Sequence, residues 1–116
     1  MRDTDQVGVG KAGVLKKYAV IAAAGSGDNT LVAAVTGKKI RVLALWLTMT
    51  GTAVTIRFES GAGGTALSGQ ATPLQGTSII LPLNELGWFE TAAGSLLNLE
   101  LGGAQAVAGC LVYVEA

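Results

Sequence analysis

The sequence predicts an all-β protein, built as a sandwich or a small barrel of about seven or eight short strands. Turn signals rich in Gly, Asn, Asp and Pro recur about every ten residues, and the segments between them are rich in Val, Ile, Leu and Thr. Helix signals are scarce, because the one candidate, Asp28–Ala34, is short and rich in β-branched residues. The 116 residues are enough for one domain with a modest core.

The chain begins with an arm, followed by two strands. Met1–Val14 is rich in Gly and weakly patterned, which is typical of a segment outside a core. Tyr18–Ala24 is the first predicted strand, and the polar cluster Gly25–Asn29 that follows it is predicted to be a turn. Thr30–Thr36 is the second predicted strand.

The third predicted strand, Lys39–Met49, is apolar on both faces. Its even-numbered residues from Ile40 to Trp46 are all apolar, and so are its odd-numbered residues from Leu43 to Met49. A strand of this kind must be covered on both sides. We assign the even-numbered face to the core of the protomer. We assign the odd-numbered face to a contact between subunits, which one face of the last strand joins. The candidate interface residues are Leu43, Leu45, Leu47, Met49, Ala108, Cys110 and Val112.

The segment Ala53–Ser60 alternates cleanly, with Val54, Ile56 and Phe58 on one face. The short turn before it predicts that it forms a hairpin with the third strand. The later strands are separated by Gly-rich or Pro-containing turns. They are predicted at Thr65–Leu67, Thr77–Leu81, Trp88–Thr91, Ser95–Leu101 and Ala106–Glu115.

The composition favours a protein that associates with itself. Apolar residues make up 50% of the chain and charged residues 14%, and the mean hydropathy is +0.50. These values are high for a small soluble monomer, which must cover a large surface with polar groups. No apolar run approaches the ~18 residues of a membrane-spanning helix, so we expect no membrane partner. The positive charges are too dilute for a nucleic-acid surface.

Catalytic and metal chemistry have no support in the sequence. Histidine is absent and Cys110 is the only cysteine. The chain therefore lacks a histidine base and cannot form an internal disulfide or a Cys/His metal site. Glu59 and Glu100 fall at outward positions of different strands, where we expect solvent. Gly8–Gly13 lacks the flanking strand and helix of a dinucleotide site, and Gly61–Thr65 is interpreted as a long turn. We predict no enzyme, no metal site and no cofactor.

Three segments occur in a characteristic order and spacing: Val32–Val42 (VAAVTGKKIRV), Leu81–Leu99 (LPLNELGWFETAAGSLLNL) and Gly109–Glu115 (GCLVYVE). In these segments the chain resembles a family of short virion-associated proteins encoded by tailed bacteriophages. The resemblance covers residues 30–116, and its motifs are structural rather than catalytic.

The resemblance implies an antiparallel, jelly-roll-like β-sandwich with an extended N-terminal arm. It also implies a structural virion protein, foremost a capsid decoration (cement) protein that binds the capsid surface as an oligomer and stabilises it. The expected partners are further copies of the chain, as a homotrimer, and the phage major capsid protein. Two alternatives remain open. One is a neck, tail or fibre component, and the other is a carbohydrate-binding module for host attachment through Trp88 and Phe89.

The N-terminal part of the chain is mildly basic, whereas the rest is acidic. We divide the chain into an arm over residues 1–17 and a sandwich domain over residues 18–116. An arm of this charge can dock on an acidic neighbour, although the same charges are compatible with a solvated leader. The candidate capsid-contact residues of the arm are Arg2, Lys11, Lys16 and Lys17.

Overall fold

The computed structural model describes residues 15–116, so the candidate arm residues Arg2 and Lys11 lie outside the described part. Within residues 15–116 the chain forms nine β-strands and no α-helix. This part therefore contains no helix long and apolar enough to cross a membrane. The strands are β1 Lys17–Ala23, β2 Gly27–Val32, β3 Ile40–Met49, β4 Ile56–Ser60, β5 Thr65–Ala66, β6 Ser78–Leu81, β7 Phe89–Glu90, β8 Leu97–Leu101 and β9 Val107–Glu115.

The strands form two antiparallel sheets. Sheet one has the order β1-β9-β3-β6, and β7 also pairs with β3. Sheet two has the order β2-β8-β4-β5. The chain passes between the sheets at most of its connections, so strands that are neighbours in a sheet come from distant parts of the sequence. The predicted antiparallel, jelly-roll-like β-sandwich is confirmed.

The predicted hairpin between the third and fourth strands is wrong. β3 belongs to sheet one and β4 to sheet two, where β4 pairs with β8 and β5. The turn between them holds β3 against β9 instead, because the backbone N–H groups of Thr50 and Gly51 both donate to Ala106 O, at 3.1 and 3.0 Å. A short turn serves a hairpin and a passage between sheets equally well, so the local sequence does not distinguish them.

The core lies between the two sheets and takes apolar side chains from both. The alternating leucines of β8 all point into this core. The ring centroids of Phe58 and Phe89 are 5.0 Å apart. The buried core residues are Ile21, Ala23, Val32, Ile40, Val42, Leu45, Leu47, Met49, Val54, Ile56, Phe58, Leu97, Leu99, Leu101, Val107 and Leu111.

A β-bulge explains why β3 is apolar on both faces. Val112 of β9 pairs with Ala44, but the next residue, Tyr113, pairs with Val42, so Leu43 has no partner in β9. An extra residue in one strand shifts the alternation of its side chains by one position. The core-facing residues of β3 are therefore even-numbered before Leu43 and odd-numbered after it.

The bulge overturns part of the interface prediction. Leu45 is 3% exposed, and Leu47 and Met49 are fully buried in the core of the protomer. Leu43, the bulged residue, is also buried. These four side chains have no surface left for a second chain. Trp46, which the sequence analysis placed in the core, is instead 50% exposed.

The second strand begins earlier than predicted, and this difference positions a polar residue. Gly27 adopts a φ of 88°, which glycine reaches without strain, and β2 starts there. The Asn29 side chain closes the preceding turn: its Oδ1 accepts from Gly25 N at 3.2 Å, and its Nδ2 donates to Gly25 O at 2.9 Å. Asp28 therefore belongs to sheet two rather than to a turn.

Candidate functional site

The surface of sheet one opposite the core carries a row of apolar residues. Val20, Cys110, Trp46 and Ile80 follow one another across β1, β9, β3 and β6 as paired positions. Val20 is 68% exposed and Ile80 71%, on either side of the half-exposed Trp46. Contiguous exposed apolar side chains of this size are typical of surfaces that contact another molecule.

The neighbouring rows are uncharged as well. On one side lies the row of Tyr18, Val112 and Ala44. On the other side lies the row of Ala22, Ala108, Thr48 and Ser78. Thr48 Oγ1 and Ser78 Oγ of this second row are 2.8 Å apart and form a hydrogen bond. We call the three rows the outer apolar face. Its residues are Tyr18, Val20, Ala22, Ala44, Trp46, Thr48, Ser78, Ile80, Ala108, Cys110 and Val112.

A shallow hollow of about 220 Å³ lies on this face, with Trp46, Ile80 and Cys110 among its walls. Three of the predicted interface residues, Ala108, Cys110 and Val112, lie on the outer apolar face and are partly exposed. Their role in a subunit contact remains a prediction. The residues of β1 and β6 at this surface were missed, because pairing with β9 and β3 cannot be read from the sequence. Ala44 and Trp46 of β3 were missed as well, since they were assigned to the core because the bulge was not foreseen.

The two described lysines of the predicted arm form ion pairs within the chain. Lys16 Nζ lies 3.1 Å from Glu85 Oε2, and Lys17 Nζ lies 2.9 Å from Glu115 Oε2. The hydrogen bond to Glu115, together with its charge, raises the pKa of Lys17. Both lysines therefore hold the start of sheet one to later parts of the chain.

The candidate glycan-binding aromatics are held by the fold. Trp88 is 43% exposed, and its indole Nε1 donates to Pro82 O at 2.8 Å. Phe89 packs against Phe58 of the core. Trp88 offers part of its ring face to solvent, but its hydrogen-bond donor is already occupied.

Sheet two carries a cluster of polar side chains on its outer surface. Asp28, Glu100 and Arg57 are paired positions across β2, β8 and β4, and the adjacent row contains Asn98 paired with Glu59. We call these five residues the polar cluster. Glu59 was predicted to lie in solvent, but its side chain is fully buried. Glu59 and Glu100 were predicted on different strands, and the structure brings them together with Asp28, so that each of the three carboxylates offers an oxygen within 4.8 Å of the others.

Asn98 and Arg57 connect the carboxylates. Asn98 Nδ2 donates to Asp28 Oδ1 at 2.8 Å and to Glu59 Oε1 at 3.0 Å. Arg57 Nε donates to Glu59 Oε2 at 3.0 Å, and its Nη2 bonds the same oxygen and lies 3.8 Å from Glu100 Oε1. Each oxygen of the buried Glu59 thus has a partner. Burial of a charge requires such pairing.

The pKa values of the two glutamates shift in opposite directions. Burial opposes ionisation of Glu59, but hydrogen bonds with Arg57, Glu100 and Asn98 together hold its pKa below the usual 4.5. The hydrogen bond with Glu59 and its negative charge raise the pKa of Glu100. Glu59 is therefore the carboxylate that stays ionised, and Glu100 is the one that takes up a proton first.

A glycine turn contacts the polar cluster. Gly63 has a φ of 62° and its backbone N–H donates to Asp28 Oδ1 at 3.1 Å. Gly64 N donates to Gly61 O at 3.0 Å, which closes the turn. The segment is a turn, as interpreted from the sequence. The anion that its backbone binds is a carboxylate of the same chain.

No protein family matches the sequence, and no curated protein does. The fold is similar to a solved structure from Bacillus, described as endospore appendages that form a novel family of disulfide-linked pili. The two chains share 19% sequence identity, with a TM-score of 0.58, and the match covers 89% of this chain and 88% of that chain. This likeness concerns the fold.

Proposed function

We propose that the chain is a structural subunit that associates with copies of itself through the outer apolar face. Its foremost setting is the head of a tailed bacteriophage, where it acts as a capsid decoration protein, without catalytic activity. The single observation that carries the proposed self-association is the uncharged row of Val20, Cys110, Trp46 and Ile80 across sheet one. The phage setting rests on the resemblance of residues 30–116 to short virion proteins.

The chemistry of the face favours a second copy of this chain as its occupant. The three rows contain no charged side chain, so two identical faces do not repel each other. The aromatic rings of Tyr18 and Trp46 can pack against small residues such as Ala22 and Ala108 of another copy. An isologous contact of this kind gives a dimer, whereas the homotrimer that the resemblance implies would use heterologous contacts between the faces of three copies.

The size of the face favours an assembly that is completed on a larger particle. With about 4.8 Å between strands and about 6.8 Å between side chains of one face along a strand, the face measures roughly 400 Å². Two copies in contact would bury roughly 800 Å² in total, less than the ~1,200–2,000 Å² of a stable interface. Further contacts must therefore contribute, and a capsid surface with the N-terminal arm docked on it supplies them in several copies at once.

A second setting is a subunit of a surface appendage, which the likeness of fold to a pilus protein favours. The disulfides in the description of that protein cannot form within this chain, since Cys110 is its only cysteine. A phage neck, tail or fibre component belongs to the same class of repeating structural subunits. The carbohydrate-binding alternative depends on Trp88, whose indole N–H is already bonded to Pro82.

The proposal is tested by measuring the mass of the chain in solution by light scattering over a concentration series. Because the face alone is small, we expect the wild type to form oligomers only at the upper end of a series that reaches about 1 mM, and Ile80→Glu to shift the distribution towards the monomer. Leu86→Glu is the matched control, since Leu86 is 84% exposed and lies outside the face. A wild type that stays monomeric at every concentration, or equal behaviour of both variants, contradicts self-association through this face.

Binding to phage particles separates the two settings. Particles that lack the protein are mixed with the purified chain and sedimented. A decoration protein co-sediments in a fixed ratio and raises the temperature at which the particles break, and Ile80→Glu weakens both effects. Absence of binding, combined with filament formation by the chain alone, would favour the appendage. Glycan binding that is lost in Trp88→Ala would favour the carbohydrate-binding module.

A further inference from the structure

Strand β1 has a free edge. It pairs with β9 on one side, and within residues 15–116 no strand pairs with it on the other. A hollow of about 260 Å³ lies beside this edge, with Val20 and Ala22 of β1 and Leu31 of β2 among its walls. The edge of β1 is therefore accessible to another chain. Such an edge presents a row of unpaired backbone N–H and C=O groups that can take up a further strand.

The hydrogen bonds of β9 show which residues of β1 point to the free edge. On the side of β3, Ala106 O accepts from the backbone N–H groups of Thr50 and Gly51. Because backbone groups alternate in direction along a strand, every second residue of β9 from Val107 onwards points the other way, towards β1. The partners of these residues in β1 are Lys17, Ala19, Ile21 and Ala23. The backbone groups of the intervening residues point to the free edge, and these residues are Tyr18, Val20 and Ala22.

The other edge strands of the two sheets carry features that hinder pairing. β6 has four residues and is followed by Pro82, and β5 and β7 have two residues each. β2 contains a register shift between Thr30 and Val32. By contrast, β1 has seven residues in unbroken register with β9, without proline, and Lys17 is its only charged residue. Shortness, proline, bulges and charges protect an edge strand from pairing, so β1 is the edge that is suited to it.

We propose that the free edge of β1 pairs with the same edge of a second copy of this chain, antiparallel and about a two-fold axis at Val20. In this register the outward-pointing residues of the two strands lie opposite one another and form about six backbone hydrogen bonds. Tyr18 then lies opposite Ala22 of the other copy. Ile21 likewise lies opposite Ala19, so each large side chain meets a small one on either face of the sheet.

Charge favours the antiparallel direction. A parallel pairing in register would place the two copies of Lys17 side by side, and those of Lys16 as well. The antiparallel pairing places Lys17 opposite Ala23 of the other copy. The two copies of Lys17 are then about 20 Å apart along the strands, which exceeds the screening length of about 8 Å in physiological salt. Repulsion between the two strands is therefore small.

The pairing enlarges the apolar surface of the assembly. A two-fold axis perpendicular to sheet one puts the outer apolar faces of both copies on the same side, where they form one continuous face of roughly 800 Å². Two such doubled faces in contact would bury roughly 1,600 Å², which lies within the range of stable interfaces. This inference goes beyond the proposed function, because the backbone of β1 makes the contact and the side chains of the outer apolar face do not.

Amide hydrogen exchange followed by NMR tests the pairing in the full chain. Ala19 and Ile21 point towards β9, so their amides should be protected at every concentration and serve as the internal control. The amides of Tyr18, Val20 and Ala22 should exchange at least about threefold more slowly at about 1 mM than at about 0.05 mM, because their protection follows the fraction of paired chains.

Exchange of these three outward amides that does not depend on concentration overturns the inference. If they are protected equally at both concentrations and lose this protection when residues 1–14 are deleted, the N-terminal segment of the same chain covers the edge instead of a second copy. If they exchange rapidly at both concentrations, nothing pairs with the edge.

Ile80→Glu distinguishes the edge of β1 from the outer apolar face. Ile80 lies on β6, at the opposite side of sheet one. The variant should therefore lower the oligomer mass and keep the concentration-dependent protection of the β1 amides. Loss of that protection in Ile80→Glu would mean that the face contact covers these amides, and it refutes edge pairing. An unchanged mass with the protection kept contradicts the face contact and supports the edge pairing.

Two variants at Ala22 test the backbone contact itself. The N–H of Ala22 points to the free edge, so Ala22→Pro removes a donor of the proposed contact and no hydrogen bond within the protomer. It should weaken association measured by sedimentation at least about tenfold. Ala22→Ser keeps the N–H and should associate as the wild type does. Protection of the Ile21 amide shows that each variant is folded, and equal association of the two folded variants overturns the inference. The exchange measurement on the wild type decides the matter if Ala22→Pro does not fold.

Discussion

The outer surfaces of the two sheets differ completely in chemistry although they enclose the same core. Sheet one exposes Trp46 and Ile80 among uncharged side chains. Sheet two carries the polar cluster, in which Glu59 is fully buried. Large exposed apolar groups and buried charges are the informative exceptions to the usual distribution of residues. The core-facing positions of both sheets form one shared apolar core, so the two sheets differ only at their outward-facing positions.

The two surfaces also differ in how their unfavourable groups are compensated. The buried carboxylate of Glu59 finds its partners, Arg57 and Asn98, within the same chain. Trp46 and Ile80 find none within the described residues, since half or more of each side chain is exposed. The polar cluster therefore contributes to the stability of the protomer, whereas the outer apolar face is the surface that we propose for association between protomers.

The largest expected change in the free energy of unfolding comes from comparing two adjacent positions of β3, one facing the core and one facing outwards. Leu45→Glu places a charge in the core, where Leu45 is 3% exposed, and should cost about 4 kcal/mol or more, enough to abolish cooperative unfolding. Trp46→Glu should change the free energy of unfolding by no more than about 1 kcal/mol while reducing the oligomer mass. Urea unfolding followed by circular dichroism measures the first quantity. If Leu45→Glu folds normally, Leu45 does not face the core, and the bulge does not shift the side-chain alternation of β3 as described.

A smaller loss is expected at Gly109, where β9 passes close to β3. A Cβ added there would collide with the Trp46 carbonyl oxygen and would lie 2.8 Å from Leu47 Cα. Gly109→Ala should therefore destabilise the chain by about 3 kcal/mol and disturb the position of Trp46 on the outer apolar face. Gly103→Ala is the control, because its Cβ would meet Val54 Cγ2 at an ordinary 3.5 Å. Thermal unfolding of the two variants checks the difference, and equal midpoints would contradict the close approach.

The polar cluster makes stability depend on acidic pH. The pKa of Glu59 in the folded chain lies below the usual 4.5, so its stabilising contribution is present above pH 4.5 and is lost as the pH falls through its folded value. Glu100 has the opposite sign, because its pKa is raised and its ionisation opposes folding. Denaturant unfolding measured from pH 6 to pH 2 should show a smaller acid loss for Glu59→Gln than for the wild type. Parallel pH profiles for the two proteins would argue against this origin.

The smallest expected effect concerns the start of sheet one. Lys16→Ala removes the ion pair with Glu85 at 3.1 Å, and the partly exposed geometry limits its contribution to about 0.5 kcal/mol. A double-mutant cycle with Glu85→Ala measures the coupling. A coupling energy well above about 1 kcal/mol between Lys16 and Glu85 would contradict the expectation that this pair behaves as a solvent-exposed ion pair.

The strand content could be predicted from the sequence, but the pairing could not. Alternation in Ser95–Leu101 and the apolar run of Ala106–Glu115 predicted β8 and β9 nearly within their bounds. Strand β9 pairs with β1 and β3. In the pairing of β9 with β1, Tyr113 lies opposite Lys17, which is 96 positions earlier in the sequence. Local periodicity contains no information about such contacts, because every antiparallel neighbour with an apolar face satisfies it.

The candidate sites show the same limit. Glu59 and Glu100 were correctly placed on outward-facing positions of alternating strands, yet the same reasoning expected Glu59 in solvent. Only the pairing of β4, β8 and β2 brings these glutamates to Asp28, and only the glycine turn adds the backbone donor of Gly63. The interface residues of β3 were misplaced because one bulge reverses the alternation after Leu43.

The sequence by itself determined that this chain is all-β, built as a sandwich or a small barrel, and that it is unusually apolar for a small protein, since composition and period-two alternation are local properties. The tertiary structure decided which of these apolar residues are buried and which are exposed. The bulge at Leu43 turned Leu45, Leu47 and Met49 into the core and left Trp46 outside. Pairing between distant strands then gathered the apolar residues of sheet one on one side and the carboxylates of sheet two on the other, because backbone hydrogen bonds fix the register across a sheet.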